Sequence, residues 1–276
     1  MTTVPDALYR RLDLFDGWEP GDPHSYAETF DARTYLAAVR AGLRAPEDDD
    51  VAHDRATHDA AVSRLLHATL VDNGRRPVAI MGGHALDRSS PTYGAAAQIA
   101  AALSSRDLTV LTGGGPGAME AAHLGARLRV ADRVAEALDE ITRDGDADEF
   151  PEEASRLLCR GNNHFDPDAL AALHAWQLPA FELAEETDRE SHETIGIPTW
   201  LYGHEPPTPL ATAHAKYCEN SIREDGLLAL ATHGIVFLPG RAGTIQEIFQ
   251  DAAQNYYRTV RGLFSPMVFF DLEGYW

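Results

Sequence analysis

Three observations predict an α/β fold, a doubly wound parallel sheet with an N-terminal helical extension and a helical insertion. Short apolar runs alternate with stretches of helical spacing, most of the runs end in a turn rich in Gly, Pro or His, and two turns lead directly into an amphipathic helix. Residues 78–81, 108–111, 197–202, 235–238 and 267–270 are the expected strands. The first four end in Gly82-Gly83-His84, Gly113 to Gly117, Gly203-His204-Glu205-Pro206-Pro207 and Pro239 to Gly243. In an open parallel sheet such turns gather outside the carboxyl ends of the strands, where ligands bind at the switch point of strand order.

Residues 1–75 read as a polar, mostly helical extension. Tyr35, Leu36, Val39 and Leu43 keep helical spacing, the acidic run Glu47 to Asp50 interrupts it, and Ala61, Leu65, Leu66, Thr69 and Leu70 resume it. His53, His58 and His67 are not spaced to stack on one helix face, so no metal site is expected from them. Residues 76–276 form the expected ligand-binding domain. One of its helices runs through Met119, Ala122, His123 and Ala126, and another through Ile245, Ile248, Phe249, Ala252, Ala253 and Tyr256. From about 127 to 194 the glycine turns stop and the text becomes charged and helical, with breaks at 144–146 and 161–164. This reads as an insertion leaving the ligand edge of the sheet, by default a solvated helical pair and alternatively a lid.

A formal charge of -20 and a sequence pI near 4.8 argue against binding to nucleic acid or to an anionic membrane. No apolar stretch is long enough to span a membrane, and residues 1–6 have no leader pattern, so a cytoplasmic protein is expected. Cys159 and Cys218 have neither a disulfide framework nor zinc spacing, and are expected as small buried apolar residues. Lys216 is the only lysine, so a Schiff-base enzyme would have that amine alone. Neither a metal nor a cofactor is expected.

The two glycine turns carry the chemistry. Helix N-termini present unpaired N–H groups and a positive dipole end, and glycine lets an anion approach the backbone, so two such ends point to a phosphorylated small molecule. The first cluster follows the second strand and has Ala118 where a Rossmann dinucleotide turn has its last glycine, and no Gly-Lys-Ser/Thr follows either cluster. A mononucleotide or sugar phosphate fits better than a dinucleotide. In the second cluster Thr244-Ile245-Gln246-Glu247 also matches a capping box, which would make Glu247 structural. The preceding Pro-Gly-x-x-Gly and the partner cluster favour a chemical role, since a carboxylate at a phosphate-binding helix end is suited to face positive charge that develops during reaction.

The runs Val78 to Gly83, Thr112-Gly113-Gly114-Gly115-Pro116-Gly117-Ala118-Met119-Glu120 and Pro239-Gly240-Arg241-Ala242-Gly243-Thr244-Ile245-Gln246-Glu247, with Tyr93, resemble the Lonely Guy (LOG) family, whose members are often mislabelled lysine decarboxylases. The resemblance covers about residues 76–127 and 195–276. It implies a modified Rossmann-like fold, a homodimer, and hydrolysis of a nucleoside 5′-monophosphate to ribose 5-phosphate and free base. The family's essential glutamate falls on Glu247 and its arginine on Arg223. Gly82, Gly83, Gly113, Gly114, Gly115, Gly117 and Met119 would wall ribose and base, while Gly240, Arg241, Ala242, Gly243 and Thr244 would hold the phosphate. Two positions depart from the family pattern: Arg241 replaces its second glycine, and Glu224 stands where a lysine is common. A non-catalytic nucleotide sensor or carrier on the same fold is the alternative. Family members continue past the last strand into a closing helix, whereas here only residues 271–276 follow. The N-terminal extension or a neighbouring subunit is expected to cover the face that helix would bury.

Overall fold

The computed structural model describes residues 4–143, 148–159, 164–260 and 262–276. The helices before the sheet are α1 (Arg11–Leu14), α2 (Phe30–Arg40) and α3 (Asp49–His67). Thr29 caps α2 through the Ala32 N–H, and the acidic run supplies Asp48 as the cap of α3. β1 (Pro77–Met81) and α4 (Pro91–Ser104) follow, then β2 (Thr109–Thr112), α5 (Ala118–Leu128), α6 (Ala131–Ile141) and α7 (Pro167–Glu186). The chain closes with β3 (Ile195–Gly196), β4 (Ala213–His214), α8 (Asn220–Leu230), β5 (Ile235–Phe237), α9 (Ala242–Tyr257) and β6 (Met267–Phe269).

The six strands form one parallel sheet in the order β4-β3-β2-β1-β5-β6. Every residue of β1 is buried, as a central strand covered on both faces requires. Side chains alternate between the faces. Ala79, Met81, Leu111, Ile235 and Phe237 meet Val62, Leu66 and Leu70 of the extension and Leu227 and Leu228 of α8. Val78, Ile80, Val110 and Val236 meet Tyr93, Ala96 and Ala100 of α4 and the alanines of α5. The sheet is therefore doubly wound, and α3 with the turn after it is one of its covering layers. Leu66 and Leu70 are fully buried there, each stabilising the fold by about 2 kcal/mol.

The expected third strand, at 197–202, is displaced. Pairing with β2 occurs at Ile195 and Gly196, and Pro198 then removes a ladder donor. Thr199 makes one further bridge, to Tyr217, and caps a 3₁₀ turn at Trp200–Tyr202. The two-residue strand β4 is an addition to the expected five, too short to carry a periodic signal.

The insertion begins at the end of α5, away from the ligand edge where α5 starts, and it is packed into the body, not a solvated pair. Leu170, Leu173, Trp176 and Phe181 of α7 share a core with Leu14, Phe15, Tyr26 and Tyr35 of the extension. Leu183 and Ala184 pack with α4, α5 and α6. The breaks expected at 144–146 and 161–163 lie outside the described residues. The extension does not reach the outer edge of the sheet, where Val268 and Phe269 stay 50% and 46% exposed. There the C-terminal residues fold back, Trp276 packing edge-on against Phe269 with ring centroids 5.3 Å apart.

Both cysteines are free and half-buried, not the fully buried residues expected. Cys159 lies 3.7 Å from Asp166, and Cys218 lies beside His58. His58 pairs with Tyr9 and Asp59, and Asp59 accepts the N–H groups of Cys218 and Glu219 at the start of α8. Lys216 is fully buried, 2.5 Å from Asp31, which also accepts from Tyr26 and Trp200. Burial lowers the Lys216 pKa and the Asp31 carboxylate opposes that shift.

Candidate functional site

From β1 the chain builds β2, β3 and β4 to one side and then β5 and β6 to the other, so strand order reverses between β1 and β5. A cavity of about 500 Å³ opens at this point, at the carboxyl ends of the strands. Gly82, Gly83 and His84 line it from the turn after β1, Gly113 and Met119 from the turn after β2, and Pro239 to Thr244 from the turn after β5. Tyr202, Glu205, Arg223, Glu224 and Glu247 also line it.

The β5 turn is open. α9 begins at Ala242 with Arg241 at its N-cap and no side-chain cap, leaving the first-turn amides without an intrahelical acceptor. Thr244 therefore lies inside the first turn and Glu247 in the second, so the reciprocal capping box is not formed. Gly240 is required, because a Cβ there would collide with the Thr244 side chain and sit 3.2 Å from the Gly83 nitrogen. Arg241 has φ -100° and ψ -157°, extended backbone that any residue adopts, so it replaces glycine without strain, and it is exposed at the rim of the cavity it lines. The Tyr275 hydroxyl donates to the Gly240 carbonyl, bracing the turn from the C-terminal segment.

The β2 turn is closed. Gly113, Gly114, Gly115 and Gly117 are all buried, and the first amide of α5, that of Ala118, donates to the Gly83 carbonyl at 3.0 Å. Gly114 N–H donates to Thr112 Oγ1, and its carbonyl accepts from Thr208. Sequence reasoning expected two anion-binding helix ends; the α9 end has all its first-turn amides open, whereas the α5 end has its first amide taken by Gly83. Gly114, Gly115 and Gly117 stand behind the cavity wall, with Gly113 and Met119 alone of this turn reaching the lining. A second clamp fixes the β1 turn. Arg88 makes a two-pronged pair with Glu120, which also accepts from Tyr93, and reaches the Trp176 carbonyl of α7.

Glu247 and Arg223 come together as expected of a pair, with Oε1 3.8 Å from Nη1. Glu247 is only 9% exposed, and its carboxyl pKa is raised from 4.5 to about 7. Burial is the main cause; Arg223 works against it and Glu224 adds to it. The Arg223 Nε is buried without a hydrogen-bond partner among the described residues, so this guanidinium retains donor capacity for a ligand. Glu224 holds Asn220 at 2.7 Å and Gln246 at 3.0 Å, linking α8 to α9. A buried carboxylate titrating near neutrality beside an arginine suits acid–base or charge-stabilising work.

Sequence reasoning missed His84, Tyr202, Glu205 and Glu224 as lining residues. His84 and Glu205 do stand in two of the glycine and proline turns, and their convergence follows from strand order, which is not written locally. A second space of about 550 Å³ adjoins the first, sharing His84, Ala85, Glu205 and Arg241 and walled by residues 149–153, 155 and 156 of the insertion. Lys216 lies outside both linings. Among the described residues, no helix is long and apolar enough to cross a membrane. No protein-family model matches the chain, and no curated protein matches it.

Proposed function

We propose that this protein hydrolyses the N-glycosidic bond of a nucleoside 5′-monophosphate, releasing ribose 5-phosphate and the base. The observation that carries the reading is the buried Glu247, with its pKa near 7, paired with Arg223 beside the uncapped N-terminus of α9. The amides of Ala242 to Thr244 and the Arg241 side chain hold the phosphate. Glu247, in its ionised form, faces the positive charge that builds on the ribose as the bond to the base breaks, and orients the attacking water. Arg223 pairs with the bound anion and keeps Glu247 in place. The resemblance of the two glycine motifs to the LOG family supports the same reaction.

Ribose 5-phosphate release from a panel of nucleoside 5′-monophosphates tests the proposal. Cleavage is expected for at least one member, with Glu247→Gln slowing it by about 10³-fold. Binding without cleavage by the parent would instead assign a nucleotide sensor or carrier, and a Glu247→Ala variant as active as the parent would remove the catalytic role. The reading extends to a homodimer. Phe249, Tyr256, Tyr257 and Phe264 are 72%, 81%, 73% and 67% exposed on and beside α9, more apolar surface than one helix face normally leaves in water.

A further inference from the structure

Loss of the base from C1′ requires more than a carboxylate facing the sugar, because a purine or pyrimidine departs poorly as an anion. A donor must deliver a proton to a ring nitrogen of the base, and Glu247 lies on the helix that holds the phosphate. At the mouth shared by the two cavities, Glu205 Oε1 lies 3.6 Å from His84 Nδ1 and 3.7 Å from His204 Nε2. His84 and Glu205 of this cluster line the same cavity as Glu247. Glu205 follows the β3 segment, His84 follows β1, and Glu247 follows β5. The β1 turn that carries His84 is fixed, since the Gly83 carbonyl accepts from Ala118 and Arg88 is clamped by Glu120.

We propose that His84 is the proton donor to the departing base and that Glu205 is its positioning residue, an inference that rests on the nucleotide-cleaving reading above. Glu205 faces Nδ1 at 3.6 Å, leaving Nε2 to carry the donated proton. The C1′–N bond breaks with its electron pair moving into the base, and the His84 proton goes to a ring nitrogen. Water adds to C1′ and gives its proton to the Glu247 carboxylate, so ribose 5-phosphate and a neutral base leave.

The test compares two substrates with the parent, His84→Gln and Glu205→Gln. One is the nucleoside monophosphate the parent cleaves fastest; the other is 4-nitrophenyl riboside 5-phosphate, whose leaving group needs no proton. Both variants are expected to lower kcat on the monophosphate by about 100-fold, with KM within about threefold, and to lower kcat on the nitrophenyl substrate by less than about fivefold. Equal losses on both substrates would overturn the proposal, because a purely structural role does not distinguish leaving groups. Undiminished cleavage of the monophosphate by both variants would overturn it too. If the parent cleaves neither substrate, the nucleotide-cleaving reading itself falls, a result distinct from a failure of His84.

Discussion

Glu247 is stored in the fold at a cost that depends on pH. Its folded pKa, near 7, lies above the unfolded value of 4.5, so between these values the native state binds more protons than the unfolded chain. The contribution of this group to stability is complete below about pH 4.5 and is lost as pH rises through about 7. Above that the ionised, buried carboxylate costs on the order of 3 kcal/mol. Asp251, raised to about 6 by burial, acts in the same direction. Glu247→Gln removes the ionisation. The variant is expected to melt above the parent at pH 8, by several degrees, and to converge on it at pH 4.5, as thermal unfolding across pH would show. A constant offset between the two curves would mean that the carboxyl is not perturbed. Glu247 could be read from the sequence because it stands at a fixed distance from a glycine turn. Its raised pKa could not, since that comes mainly from burial, which depends on how the surrounding elements pack, with a smaller push from Glu224 of α8.

At the level of elements, the two glycine turns look alike as text and differ in three dimensions. The β5 turn leaves its helix amides open, whereas the β2 turn gives its first helix amide to a carbonyl from the turn after β1. That plug comes from a residue more than thirty positions away in sequence, and no local pattern announces it. Gly117 is the pivot of the closed turn, with φ +67° and the carbonyl oxygens of His84 and Gly83 2.5 Å and 2.6 Å from where a Cβ would stand. Gly117→Ala is therefore expected to cost at least about 2 kcal/mol, read from a lowered urea midpoint. A midpoint within experimental error of the parent would show that the β1 and β2 turns do not interlock as described. The same distinction between local and non-local information explains the strands. Runs at 78–81 and 235–238 fall within a residue of β1 and β5 because both are central and apolar. The run at 197–202 looked extended, but Pro198 and the Thr199 cap turn it out of the sheet.

For the whole molecule, the extension and the insertion were read as two separate attachments to a sheet, and they are one body. Aromatic residues of the first forty positions and of α7 build a common core, and α3 seals a face of the sheet. The text of either segment alone shows helical spacing without a partner, which is why their union was illegible. The opposite end of the sheet is less complete. β6 pairs with β5 on one side only, among the described residues, and the rings on and beside α9 remain in water. A parent that sediments as a dimer at micromolar concentration, and a Phe249→Glu/Tyr256→Glu variant that sediments as a monomer, are the expected results. A monomeric parent would assign that surface to something other than self-association.

The burial of Lys216 gives the molecule a built-in reporter. The folded chain encloses its one side-chain amine beneath Trp200 and against Asp31. An acylating reagent can reach that nitrogen only when the surrounding core opens, so modification of Lys216, followed by peptide mass, counts opening events at a single address. Comparing the acylation rate with and without a nucleotide would then show whether occupancy of a distant cavity steadies the core.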